Sequence, residues 1–304
     1  MTEHDRPAGG AVRRVLATLA LLLALLFGTG PALAQEPGFT PTRFSVEVSG
    51  TGPDVIFIPG LSTSRGVWRD AAGHIGAGHR VHLVQLKGFG EPAGPNAEGP
   101  VLQPLVEELA RYIADNHLDH PAVVGHSLGG LVALMLGADH PELPGRLMIV
   151  DAFPWFGVTL TQDAAADAAS LEPQARALRD AMIASYGKPQ ADQAQVAGYV
   201  LDQSKLPLLR EWTAGADPRV TGQLVYEDVT TDLRPRLGRI TAPVTMVYPW
   251  NERYPTQAQA EPFYRANYAG LAGVRFVGIG PAAHFLMTDR PEAFQAALDQ
   301  FLAP

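Results

Sequence analysis

Cysteine is absent from all 304 residues of the chain. Its absence excludes a thiol nucleophile, a zinc–thiolate site and any disulfide framework. A metal site built from histidine is not indicated either. His117 and His120 lie three positions apart, but no third ligand with suitable spacing accompanies them. We therefore expect no bound metal.

Basic charge is also scarce, because 23 Lys and Arg residues stand against 31 Asp and Glu residues and give a formal net charge of −8. A mildly acidic chain without a basic cluster argues against nucleic acid and anionic membranes as partners. Three nearby glycines, at positions 88, 90 and 94, do not form a dinucleotide-binding turn. Pro92 and Pro95 lie where the helix of such a turn begins. We expect no cofactor.

The chain lacks an apolar run long enough to cross a bilayer. A leucine-rich run from Val15 to Phe27 comes nearest, and its 13 residues are too few. It follows Arg13 and Arg14 and precedes the small-x-small sequence Ala32-Leu33-Ala34. This pattern is typical of a cleaved export signal over residues 1–34, with an uncleaved anchor as the alternative. The expected product is a periplasmic or secreted chain without a membrane span.

A nucleophile elbow is predicted around Ser127. The apolar run Ala122-Val123-Val124 leads into Gly125-x-Ser127-x-Gly129, and an apolar helical pattern begins at once. A serine on so tight a turn projects its hydroxyl clear of the sheet edge. The helix that begins at Leu128 directs free N–H groups to the same point, where they stabilise negative charge. The alternative is an ordinary glycine-rich turn between a strand and a helix.

Strand and helix patterns alternate along most of the chain. Apolar runs at 54–58, 81–85 and 146–151 predict buried strands, and residues 101–117 carry apolar side chains at helical spacing. Such alternation implies an α/β fold with a mostly parallel central sheet flanked by helices. Residues 152–240 differ, because helical patterns follow one another there without a strand between them.

The loop Pro59-Gly60-Leu61 follows the predicted strand at 54–58. Loops at the carboxyl ends of central parallel strands are where such sheets bind ligands. Gly60 lets the backbone turn so that the Leu61 N–H points towards a substrate, and the Leu128 N–H is its expected partner in an oxyanion hole. A plain turn at the end of the strand is the alternative.

Four segments together resemble the α/β-hydrolase superfamily, and the resemblance extends over residues 44–151 and 240–302. The segments are Gly125-His126-Ser127-Leu128-Gly129-Gly130, Pro59-Gly60-Leu61, Lys87-Gly88-Phe89-Gly90 and Ala283-His284-Phe285. The resemblance implies a hydrolase core formed by residues 35–151 and 241–304. It also implies that residues 152–240 form a helical cap over the active site.

The resemblance further implies that His284 is the general base for Ser127. Most members of this superfamily carry the third catalytic residue, an aspartate, at a point where this chain reads Pro249-Trp250-Asn251-Glu252-Arg253 and has none. Two carboxylates remain, Asp151 and Glu252. We favour Asp151, because some members use that position, whereas Glu252 has a neighbouring arginine and a shifted register.

Aromatic residues of the predicted cap are candidates to line an apolar substrate pocket. The main candidates are Phe153, Trp155 and Trp212, and further candidates are the aromatic residues Phe156 and Tyr199 and the aliphatic Leu209. The alternative for each residue is that it only packs the cap against the core.

The predicted function is that of a serine hydrolase acting on a small-molecule acyl substrate. A serine at the elbow argues against epoxide hydrolases and haloalkane dehalogenases, which need an aspartate there. We expect hydrolysis of carboxylic esters of small or medium apolar substrates through an acyl-enzyme. Lactone, amide or carbon–carbon bond hydrolysis and acyl transfer could use the same triad. A catalytically inactive, hydrolase-like binding protein is the alternative from another class.

Overall fold

The computed structural model describes residues 39–161, 166–188, 194–253 and 255–304. The predicted export signal and its cleavage site lie outside these residues. Within the described ranges, no helix combines the length and the hydrophobicity that crossing a membrane requires.

Seven strands form one sheet in the order β1-β3-β2-β4-β5-β6-β7. The strands are β1 (Phe44–Gly50), β2 (Asp54–Ile58), β3 (Arg80–Leu86), β4 (Ala122–His126), β5 (Arg146–Val150), β6 (Val244–Pro249) and β7 (Arg275–Ile279). β1 runs antiparallel to β3, and every other pairing is parallel. The prediction of a mostly parallel sheet is therefore confirmed.

Helices lie on both faces of the sheet. They are α1 (Arg69–Ile75), α2 (Leu102–Asp115), α3 (Leu128–Asp139), α4 (Ala168–Ile183), α5 (Leu206–Ala214), α6 (Pro218–Thr230), α7 (Gln257–Asn267), α8 (Leu286–Asp289) and α9 (Pro291–Leu302). All residues of α3 from Leu128 to Ala138 are buried, as expected of a helix that is apolar on every side.

The two faces of the sheet bury separate apolar clusters. Val123 of β4 points towards α2, α3 and α7, whereas Val124 points towards α1 and α9. Both kinds of position are apolar because the central parallel strands are covered on both sides. This burial on both faces explains the continuous apolar runs in the sequence. β4 pairs with β2 on one side and with β5 on the other, so it lies in the interior of the sheet.

The segment between β5 and β6 contains α4, α5 and α6 and, in its described residues, no strand. α4 and α6 pack closely at Gly222, where a Cβ would lie 2.9 Å from the Met182 Cβ. α6 is tied to the core by Glu227, whose carboxylate accepts the N–H groups of Val101 and Leu102 at the start of α2, at 3.0 and 2.6 Å. The segment between β5 and β6, residues 151–243, is called the insertion below, and Glu227 anchors it to the N-terminus of α2.

Candidate active site

Ser127 lies on a strained turn between β4 and α3. Its φ and ψ are 53° and −123°, in a region of backbone conformation that residues other than glycine rarely adopt. Such a conformation costs about 1–3 kcal/mol and persists only where neighbouring structure enforces it. Here the Ser127 N–H donates to the Val150 carbonyl at 2.9 Å, and the Ser127 carbonyl accepts the Gly130 N–H at 2.8 Å. β5 and α3 thus hold the turn from both sides.

The glycines on either side of Ser127 allow backbones to meet. A Cβ on Gly125 would lie 2.1 Å from the Gly129 carbonyl oxygen, and one on Gly129 would lie 2.4 Å from the Ile58 carbonyl oxygen. Neither position has room for a side chain. The elbow, the start of α3 and the end of β2 therefore pack as one unit.

Asp151 and His284 come together from distant parts of the sequence. Asp151 follows β5, has φ 45°, and is fixed by its N–H, which donates to the Val247 carbonyl at 2.9 Å. His284 lies in the loop after β7, and its Nδ1 lies 2.6 Å from Asp151 Oδ2. The Tyr264 hydroxyl on α7 donates to the other oxygen of the same carboxylate. Asp151 is thus held in place by both its backbone and its side chain.

Glu252 occupies a different position. Its side chain is exposed and forms no hydrogen bond or ion pair with any described residue. Of the two carboxylates that the sequence left open, the structure therefore brings Asp151, and not Glu252, to His284.

His126, to which the sequence analysis gave no role, supports the His284 loop. Its Nε2 lies 3.0 Å from the His284 carbonyl oxygen and donates to it, and the two imidazole rings lie 4.4 Å apart. Full burial, together with the nearby His284, lowers the pKa of His126 well below its usual value, so the ring stays neutral. The alternation along β4 was a usable signal, because His126 shares its sheet face with Val124 and the residues near His284.

Ser127 and His284 face one cavity of about 1060 Å³. The core supplies Leu61, Ser127, Asp151 and His284 to its wall, and the insertion supplies Phe153, Phe156, Tyr199, Leu209, Trp212 and Asp228. The size and the largely apolar wall are typical of small-molecule sites.

Trp155 is the aromatic residue for which the pocket prediction is wrong. It does not line the cavity, being only 2% exposed. Its indole N–H donates to the Val229 carbonyl at 2.8 Å, and the Arg234 guanidinium lies 4.3 Å from its ring centre. Trp155 therefore packs α6 against the start of the insertion, which was the alternative role for these residues.

The N–H groups of Leu61 and Leu128 donate to no acceptor among the described residues. Both belong to segments that meet at the elbow, and both remain available to a ligand. The Ser127 hydroxyl likewise forms no hydrogen bond within the described part of the chain, so the expected contact with His284 is not made here. Hydrogen bonds between a nucleophile and its base are often long before a ligand binds and shorten only in the complex.

No set of three or more metal-ligating side chains occurs together within residues 39–161, 166–188, 194–253 and 255–304. The groups that this site offers for chemistry are a serine hydroxyl, an imidazole–carboxylate pair and two backbone N–H donors.

Comparison with known proteins gives a consistent result. The model of the alpha/beta hydrolase family matches residues 55–297. The chain is 28% identical over 212 residues to a pimeloyl-[acyl-carrier protein] methyl ester esterase of Vibrio atlanticus, covering 66% of this chain and 77% of that protein. It is 31% identical over 205 residues to the enzyme of the same name from Chromobacterium violaceum, covering 67% and 77%. A solved esterase from Thermogutta terrifontis superposes with a TM-score of 0.70 at 17% identity, over 85% of this chain and 92% of that one.

Proposed function

Because the chain belongs to the alpha/beta hydrolase family and is a hydrolase, we propose that it cleaves carboxylic esters of small or medium apolar substrates through an acyl-enzyme. The observation that carries the proposal is the Asp151–His284 pair, 2.6 Å apart, facing the same cavity as the strained Ser127. The names of the two curated relatives, both methyl ester esterases, support an ester over an amide as the bond that is cleaved.

The proposed mechanism uses the chain's own groups. Ser127 Oγ attacks the carbonyl carbon of the ester while His284 Nε2 takes the hydroxyl proton. Asp151 holds the Nδ1–H tautomer and stabilises the imidazolium, and the Leu61 and Leu128 N–H groups bind the oxyanion. Collapse of the tetrahedral intermediate breaks the C–O bond, and His284 gives its proton to the leaving alcohol. Water, deprotonated by His284, then attacks the acyl-enzyme and releases the acid and Ser127.

We also propose that residues 152–240 form a cap that determines substrate size, and that residues 35–151 and 241–304 form the catalytic core. This division is supported by the contribution of Phe153 and Trp212 to the wall of the cavity that Ser127 also lines. Closing such a wall over a substrate excludes water and strengthens each polar interaction inside.

A panel of p-nitrophenyl esters of increasing acyl length, assayed beside a lactone and an amino-acid anilide, tests the proposal. We expect the highest kcat/KM for an ester of short or medium chain. Covalent labelling by a serine-reactive phosphonate, located by peptide mass spectrometry, separates an enzyme from an inactive binding protein. Failure to label Ser127 would overturn the catalytic proposal. A preference for the lactone or the anilide would show that the enzyme cleaves a lactone or an amide bond rather than a carboxylic ester.

Two neutral substitutions test which carboxylate acts with His284. Asp151→Asn keeps the side-chain volume but removes the charge that fixes the imidazole, so kcat should fall by about 10²–10⁴-fold. Glu252→Gln removes an exposed charge and should leave kcat within about twofold. Steady-state kinetics on one ester measures both variants. A large loss in Glu252→Gln with Asp151→Asn active would reverse the assignment.

We further propose that the chain is exported and cleaved after Ala34. Intact-mass analysis of the chain purified from a bacterial periplasm or medium should show Gln35 as its first residue. The anchor alternative predicts the opposite, an uncleaved N terminus recovered with the membrane fraction.

A further inference from the structure

Asp228 is a carboxyl group in the active-site cavity for which the proposed mechanism has no use. It lies on α6 of the insertion and lines the same cavity as Ser127 and His284. Within the described ranges of the chain, its carboxylate has no hydrogen-bond or ion-pair partner. Its neighbour Glu227 shows the contrast, because that side chain accepts N–H groups at the start of α2.

The position of Asp228 is unfavourable for a charge. Asp228 is half-buried, and it lines the cavity. This burial raises the pKa of Asp228 to about 7, and the nearby His284 opposes the rise only in part. A carboxyl group that is partly removed from water without gaining a partner destabilises the folded chain, and a leucine at this position would avoid that cost. The residue is therefore poorly explained by folding alone.

The surroundings of Asp228 determine what can pair with it. The core contributes Asp151 and His284 to this cavity, and the rest of the insertion contributes Tyr199 and Lys188 as titratable groups. Asp151 is already engaged by His284 and Tyr264. Lys188 is exposed and does not pair with Asp228. The rest of the wall carries only apolar side chains and uncharged hydroxyl groups, so the carboxylate of Asp228 remains available to a bound molecule.

We propose that Asp228 is a specificity-determining residue that binds a protonated amino group of the substrate, so that the enzyme prefers amino-substituted esters to their neutral isosteres and rejects anionic ones. The inference rests on the proposed ester hydrolysis and names its substrate class. An ammonium group donates hydrogen bonds and supplies the missing countercharge, which makes ionised Asp228 favourable in an apolar cavity. An anionic substituent would instead face two carboxylates.

The position of Asp228 also limits where the amino group lies on the substrate. Asp228 interacts electrostatically with His284, the residue that must reach the scissile ester. Because Asp228 and His284 line the same cavity, one small substrate can reach both, as a short ω-amino ester would, whose ammonium group stays charged at pH 8.

Matched methyl esters test the proposal. Each set has the same chain length and ends in an ammonium, a hydroxyl, a methyl or a carboxylate group. For the wild-type chain at pH 8 we expect kcat/KM for the ammonium ester to exceed that for the methyl-ended ester by about tenfold or more, since one charge-assisted hydrogen bond is worth that much. The carboxylate ester should be the poorest substrate. Equal values for the ammonium and methyl-ended esters would overturn the proposal, and equal values for the ammonium and hydroxyl esters would overturn its requirement for charge.

Asp228→Asn should reduce the ammonium-to-methyl ratio to near unity, because the amide keeps the shape and loses the charge. Asp119→Asn, which removes an equal charge from an exposed site far from the cavity wall, is the control and should retain the ratio. If Asp228→Asn kept the preference for the ammonium ester, a side chain other than Asp228 would bind the ammonium group, and the proposal would be wrong. The wild-type ratio needs no variant, so the test stands even if Asp228→Asn folds poorly.

The wild-type ratio should also rise between pH 6 and pH 8, because more of Asp228 is ionised at the higher pH. Both substrates depend on the same catalytic groups, so the ratio isolates the contribution of Asp228. A ratio independent of pH, with the preference present, would exclude Asp228 as its source.

One control separates this proposal from the proposed function. If the wild-type chain hydrolyses no ester, calorimetry with Ser127→Ala still measures binding of the ammonium and methyl-ended esters. A preference for the ammonium ester there supports the Asp228 site alone, whereas equal affinities would reject it.

Discussion

Ser127→Ala is expected to lower kcat/KM for esters by about 10⁴–10⁶-fold, since loss of the nucleophile leaves only binding and the oxyanion donors to accelerate the reaction. His284→Ala should cause a loss of similar size. The double variant should be scarcely worse than either single variant, because residues that act as one unit are strongly non-additive. Steady-state kinetics with one p-nitrophenyl ester measures all three.

Ser127→Gly gives a second readout at the same position. Glycine adopts φ 53° and ψ −123° without strain, whereas alanine retains the strain of the native serine. Both variants should be inactive, but Ser127→Gly should unfold at a higher temperature than Ser127→Ala, by an amount equivalent to about 1 kcal/mol or more. Thermal unfolding followed by circular dichroism measures the difference. An active Ser127→Ala would show that Ser127 is not the nucleophile. Equal stabilities of the two variants would show that the turn at Ser127 is not strained.

The elbow and the parallel sheet could be predicted from sequence because both follow from local rules. Gly125 and Gly129 flank Ser127 at fixed spacing, and the continuous apolar runs indicate which strands are buried on both faces. The contact between Asp151 and His284 does not follow from such rules. It spans 133 positions and depends on the order of β5, β6 and β7 in the sheet.

Asp151 and Glu252 could not be separated from sequence for a related reason. β5 and β6 are adjacent and parallel, so residues that follow either strand emerge at the same edge of the sheet, near the loop that carries His284. The structure distinguishes them through the left-handed backbone of Asp151 and its bond to Tyr264, neither of which has a sequence signature.

Trp155 and Asp228 show a second limit of sequence reasoning. Which aromatic residue of a loop faces a cavity depends on where the following helices pack, and Trp155 turns towards Val229 instead. A single aspartate on an amphipathic helix is normally solvated, so nothing in the pattern marks Asp228 as facing the cavity. Both facts arise from the packing of the insertion and not from local preference.

Gly125→Ala should have the largest effect on stability of the substitutions considered. The added methyl would lie 2.1 Å from the Gly129 carbonyl oxygen and 2.7 Å from the Gly130 nitrogen, so it meets backbone on the first turn of α3. α3 cannot move away, because it is buried on every side and Gly129 already contacts the Ile58 carbonyl. We expect a loss of about 4 kcal/mol or more in the free energy of unfolding, or an insoluble product.

Gly73→Ala is the matched control for this substitution. Gly73 lies inside α1 with no atom within 4 Å of its added Cβ, so the same methyl should stabilise the chain by about 0.5–1 kcal/mol through the unfolded state. Urea unfolding of both variants measures the contrast. Wild-type stability in Gly125→Ala would mean that β4 and α3 can separate by more than 1 Å. The strained conformation of Ser127 would then have no rigid frame to maintain it, so the same measurement tests why the nucleophile is exposed at all.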